Sequence, residues 1–110
     1  MKKNIEHIPS LIAQLTSELK LLELWQASAP SSNALASVAP FCCDTLNFEQ
    51  WLQFIFIPKI SQMINTTQPL PSKIALTPMA EESFKYLGSQ SKNLISIINK
   101  IDSSFSEQHR

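Results

Sequence analysis

A single glycine, Gly88, among 110 residues limits this chain more than any other feature. Tight hairpins, bulges and phosphate-cradling loops need positive φ and draw on glycine to reach it. A chain with one glycine carries no P-loop and no dinucleotide fingerprint, and is poorly suited to a β-rich fold. Its seven prolines fit helices joined by stiff, extended connectors. With 44% hydrophobic and 16% charged residues, this length suits one helical domain over residues 1–110. It is too short for a barrel enzyme, or for a dinucleotide domain with a substrate domain beside it. Nine basic and nine acidic residues cancel, unlike the balance of a strongly basic nucleic-acid binder.

Met1-Lys2-Lys3 could open a signal peptide, but Glu6, His7 and Pro9 interrupt the apolar run that must follow. The longest apolar stretch, Phe54-Ile55-Phe56-Ile57, stops at Pro58, far short of the ~20 residues that span a bilayer. A cytoplasmic location and no membrane partner are expected. Cys42 and Cys43 are adjacent, and neighbouring cysteines rarely bridge, so both read as reduced thiols beside Phe41, with redox chemistry as the alternative. A metal site would want further Cys or His at suitable spacing, and His7 and His109 stand near opposite ends. No metal and no cofactor are expected.

Hydrophobic periodicity predicts four main helices. Over residues 10–26, Leu11, Leu15, Leu19, Leu22 and Trp25 recur at spacings of three and four, with Ile8 and Ile12 nearby. Pro9 belongs in a first turn. This stripe lasts barely two heptads and reads as core, not as a zipper. Residues 28–43, rich in Ser, Ala and Pro, form a connector with one short helical turn at 33–38.

The second helix has the clearest start. Asn47 is the expected N-cap, Gln50 completes a capping box, and Leu46 with Trp51 forms a hydrophobic staple. Apolar residues then cover almost every side, from Trp51 through Leu52, Phe54, Ile55, Phe56 and Ile57 to Ile60, Met63 and Ile64. A helix apolar all round is normally central. Pro58 interrupts the ladder at a usual cost of about 3 kcal/mol, so a bend or break is expected at 54–58. The bend either wraps the helix around the bundle or opens apolar side chains to a partner.

Pro69 and Pro71 bias the next connector toward polyproline geometry and hold Leu70 on a stiff arm. Thr77 followed by Pro78 reads as N-cap and first position of the third helix, and Gly88 as its C-terminal cap. The last helix starts near Ser89 or Ser91. Leu94, Ile97, Ile98, Ile101 and Phe105 form its stripe, and 103–110 is expected to fray.

No nucleophile motif is present, and neither histidine has an obvious partner. Asp44-Thr45 reads as a turn pair, with an acid pair of Asp44 and Glu49 as the sharper alternative. Lys59 is either a solvated charge or part of a binding surface with Trp51 and Phe54. Trp25 and Trp51 are candidates for core anchors or interface hot spots.

Trp25 ends the first helix. Then come Pro40-Phe41, Asp44-Thr45, Glu49-Gln50-Trp51-Leu52-Gln53, Ile57-Pro58-Lys59, Gln68-Pro69-Leu70-Pro71 and Pro78. Single motifs here are weak, but the ordered set spans most of the chain and resembles the YqcC-like family of small bacterial proteins. The Cys42-Cys43 pair departs from that family's usual apolar residues. The resemblance implies a small all-helical bundle. Through family genes lying beside that of a tRNA pseudouridine synthase, it also implies an accessory role in tRNA modification.

The expected fold is all-α, a four-helix bundle with a proline-kinked central helix over 47–65. The expected function is a non-enzymatic protein-interaction module. Phe41, Asp44, Trp51, Pro58 and Lys59, with Pro69, Leu70 and Pro71, are its candidate partner-binding residues. The favoured partner is a tRNA pseudouridine synthase, and a homodimer stays open. The alternatives are direct RNA binding through aromatic stacking and Lys contacts, which zero net charge disfavours, and small-ligand binding in a pocket between helices.

Overall fold

The leucine stripe folds as helix α1, Ile8–Leu21, in the computed structural model, which describes residues 8–66 and 74–107. Ile8, Leu11, Ile12, Leu15 and Leu19 are buried along one face. α1 stops short of residue 26 because a Schellman motif closes it. Leu24 N–H donates to Leu19 O at 2.8 Å and Glu23 N–H to Lys20 O at 3.0 Å. Glu23 sits at the left-handed position (φ 63°), where glycine is usual. The short helical turn of the connector is α2, Ser32–Leu35, capped by Ser31 Oγ, which accepts the Ala34 N–H at 3.1 Å.

Helix α3 is composite. An α-turn, Phe48–Trp51, passes into a π-helical segment, Leu52–Phe56, and then into α-helix again, Ile57–Asn65. The expected capping box is present: Gln50 Oε1 accepts the Asn47 N–H at 2.8 Å. Pro58 does not break the helix. Ile57 N–H reaches Leu52 O, five residues back, so the turn before the proline is widened, and Phe56 and Ile57 keep helical dihedrals.

The side-chain register accounts for the widening. Phe48, Leu52, Phe56 and Ile60 are all buried and recur every four residues. In an α-helix of 3.6 residues per turn, each such step drifts by about 40° around the axis. Phe48 and Ile60 would then differ by about 120°. The π-turn takes more residues per revolution and turns that drift back, so the row stays on one face.

Helix α4, Leu76–Ser83, begins one residue before the expected cap. Thr77 lies inside the helix, and Ala75 at the N-cap offers no side-chain acceptor. Asp102, far along the chain, supplies it. Its carboxylate accepts the Leu76 N–H at 3.0 Å, the Thr77 N–H at 2.9 Å and the Thr77 hydroxyl at 2.7 Å. A carboxylate can satisfy several orphan donors at the positive end of a helix, which one threonine hydroxyl cannot. Gly88 is likewise not the cap of α4. It divides 3-10 turns within Lys85–Ser91, with φ 60° and ψ −135°.

Helix α5, Lys92–Glu107, completes the fold. Over 103–107 the expected fraying is not seen, since the helix continues and Phe105 is fully buried with its ring 6.3 Å from that of Phe56; 108–110 lie outside the described residues. α5 makes the most extensive helix–helix packing. It packs on both α1 and α4, while α3 reaches α4 through Phe48–Trp51, α1 through Ile57–Asn65 and α5 through the Phe56–Phe105 rings. The class is therefore all-α as expected, with five helices and no strand among the described residues. No helix there is long and apolar enough to cross a membrane.

Two substitutions separate backbone strain from packing. A Cβ at Gly88 would meet nothing within 4 Å. Gly88→Ala should nonetheless lower stability by about 1–3 kcal/mol, through its dihedrals alone. Glu23→Gly should raise stability by up to about 1 kcal/mol by relieving the left-handed glutamate. Urea denaturation followed by circular dichroism reads both changes. Equal signs for the two would refute this account.

Candidate functional site

The wide turn in α3 keeps a second row in line. Trp51, Ile55 and Lys59, also spaced by four, line one side of a groove of about 320 Å³. Phe41, Ile74 and Leu76 contribute to its other walls. Trp51 and Ile55 are half-buried and Lys59 is exposed. The α3 helix is thus apolar on two faces, and the other described residues cover only one of them. The sequence expectation of a helix surrounded by core is met on the Phe48–Leu52–Phe56–Ile60 face and not on this one.

Phe41 is held in place by a strained turn. Phe41 and Cys42 take φ values of 56° and 52°, left-handed conformations that cost non-glycine residues about 1–2 kcal/mol each. Hydrogen bonds fix the turn. Thr45 and Leu46 N–H both donate to Cys42 O, and Thr45 Oγ1 donates to Ala34 O at 2.7 Å. Ser37 Oγ donates to Asp44 Oδ1 at 2.5 Å and accepts the Ala39 N–H at 3.1 Å. The result is an aromatic corner. The Phe41 ring stands edge-on to Trp51 at 4.9 Å and to Phe48 at 5.7 Å. Trp51 stacks on Phe48 at 5.7 Å and on Phe56 at 5.5 Å. Aromatic pairs of this kind add about 0.5–1.5 kcal/mol beyond their burial. The groove wall is therefore tied to the core through Phe56 and Phe105.

Elsewhere on α3, two glutamines fasten the chain that follows α1. Gln53 is buried, and its amide pairs with the Gln26 backbone in both directions. Gln53 Oε1 accepts the Gln26 N–H at 2.9 Å, and Gln53 Nε2 donates to Gln26 O at 2.8 Å. Gln50 Nε2 adds a bond to Gln26 Oε1 at 3.3 Å.

Phe41 also borders a second depression of about 390 Å³, lined by Cys43, Glu49, Met79 and Tyr86 among others. Desolvation, followed by the nearby Glu49 carboxylate, raises the Tyr86 hydroxyl above its ordinary pKa. Both cysteines are free. Cys42 is buried with Sγ 3.8 Å from Ser37 O, whereas Cys43 is exposed. Among the described residues no three His, Cys, Asp or Glu side chains gather as a metal site would require.

Of the residues singled out from the sequence, Phe41, Trp51 and Lys59 converge on one groove. Asp44 instead braces the Phe41 turn through Ser37, and Pro58 is exposed on α3. Pro69, Leu70 and Pro71 lie outside the described residues. Ile55 and Ile74 were missed as walls. The spacing of Trp51, Ile55 and Lys59 carried a signal for the first, and nothing local marked the second.

Comparison with known proteins places these features in a wider set. A family model described as tRNA pseudouridine synthase C matches residues 7–104. An uncharacterized protein of Haemophilus influenzae is 39% identical over 74 residues, 67% of this chain and 70% of that one. The uncharacterized protein YqcC of Escherichia coli is 28% identical over 83 residues, 76% of each chain. The tRNA pseudouridine synthase C of Pectobacterium carotovorum is 36% identical over 47 residues, which are 43% of this chain but 12% of that one. The solution NMR structure of E. coli YqcC matches with a TM-score of 0.84 at 23% identity, covering 97% of this chain and 92% of that one. At that identity the likeness establishes the fold.

The Gln53–Gln26 pairing gives a test with a defined pH dependence. In Gln53→Glu a carboxylate oxygen replaces the donor facing Gln26 O. At neutral pH the variant should lose about 2–3 kcal/mol, the cost of an unsatisfied buried group facing another acceptor. Protonation restores a donor, so the new carboxyl has a folded-state pKa above the ordinary ~4.3. The folded state then holds the extra proton, and stability relative to wild type falls as pH rises through that window. Denaturation midpoints at pH 4 and pH 7 check this; a gap that does not widen with pH rejects the pairing.

Proposed function

The chain belongs to the YqcC-like family, whose model carries the description tRNA pseudouridine synthase C, and from that membership we propose that it is a protein-docking module, without catalysis of its own, that serves a tRNA pseudouridine synthase. The apolar groove beside Trp51, left open by the described residues, carries this reading. Half-buried aromatic and aliphatic side chains there are braced by a strained turn and a π-helical segment, and both features concentrate at functional sites. Trp51 has the make-up of an interface hot spot, a large ring in a partly desolvated pocket. The groove has one titratable side chain, Lys59, at its edge. That suits recognition better than acid–base chemistry, which needs matched groups within hydrogen-bond reach of a substrate.

The choice of partner draws on the names of relatives. A segment like this one forms a minor part of a longer chain called tRNA pseudouridine synthase C in P. carotovorum. Two functions that share one chain in one organism often meet as separate chains in another.

The test is a binding measurement between the purified chain and the tRNA pseudouridine synthase of the same cell. Co-elution and a calorimetric signal are expected. Ile55→Lys should weaken binding at least about tenfold, as a buried charge at an apolar contact does, while helicity stays unchanged. Absence of binding, or equal binding by the variant, overturns the proposal. Titration with tRNA at low salt runs beside it, and tight binding there, without the synthase, would favour direct RNA recognition instead.

A further inference from the structure

The groove's polar chemistry is one-sided. Lys59 is an ammonium, which donates hydrogen bonds and accepts none. The indole N–H of Trp51 is likewise donor only. Neither side chain has a hydrogen-bond or ion-pair partner among the described residues. The remaining side chains that line the groove are hydrocarbon. Its ~320 Å³ lies at the small end of ligand sites, which run from about 300 to 1,000 Å³, so it holds a side chain more readily than a cofactor.

From this we infer that the groove selects a peptide segment in which one large apolar side chain stands beside an Asp or Glu. The apolar residue enters between Phe41, Trp51 and Ile55, and the carboxylate meets Lys59 at the rim. The inference rests on reading the groove as a docking site and adds the chemistry of what docks. A neutral apolar segment would fill the hollow but leave the Lys59 charge unanswered. A basic segment would be repelled by it.

Displayed random 12-residue peptides, selected on the full chain, provide the probe. Selected sequences should place Asp or Glu within four residues of a large apolar residue. In NMR titrations the indole N–H resonance of Trp51 should shift. Lys59→Glu should weaken such peptides about five- to tenfold and shift preference toward basic ones, as expected for reversing an exposed rim charge. Lys59→Arg should retain binding, and Ile55→Lys should abolish it. Selected peptides without acids, or affinities indifferent to Lys59→Glu, overturn the inference. So does concentration-dependent dimerisation that Ile55→Lys removes, because a second copy would then be the occupant. The two proposals fail separately. Acidic peptides that bind while the intact synthase does not would sink the choice of partner and support this chemistry. A synthase that binds wild type and Lys59→Glu alike would do the reverse.

Discussion

A row of four buried side chains spaced by four residues sets the terms for this fold. Phe48, Leu52, Phe56 and Ile60 must all face the interior, and an ordinary α-helix cannot keep them there. The π-helical segment resolves the mismatch at the point where Pro58 has no N–H to give. One local distortion thus answers two demands, a side-chain register and a missing donor. It also keeps Trp51, Ile55 and Lys59 in line, so the core face and the groove face of α3 share a cause.

Polar side chains do what backbone signals usually do in chains richer in glycine. Asp102 caps a helix whose own first residues cannot. Gln53 stands in for a neighbouring peptide group, pairing with Gln26 as one strand residue would with another. Glu23, Phe41 and Cys42 occupy left-handed positions without the residue that makes them easy. The strain at Phe41 and Cys42 is offset by the aromatic corner and the bonds within the turn, which depend on the folded core. These pieces therefore form together with it.

Much of the architecture was legible because it is periodic or local. The stripes of α1 and α5 and the capping box at Asn47 and Gln50 are read within a few residues of themselves. The Asp102 cap was not, because its donor and acceptor lie on different helices. Thr77-Pro78 offered a plausible local cap that tertiary structure overrode. The half-exposed side of α3 was hidden for a related reason. Hydrophobicity on many sides of α3 shows which surfaces prefer to be covered, not which ones another helix reaches. Among the described residues the groove is what remains where none does, so Trp51 and Lys59 could be nominated from composition while Ile74 could not.

Phe41 deserves its strained backbone for what it separates. Phe41 lines the apolar groove and also borders the depression holding Cys43, Glu49 and Tyr86. Phe41 is the one lining residue that the two hollows have in common. Any change in the position of its ring would therefore alter the shape of both hollows at once.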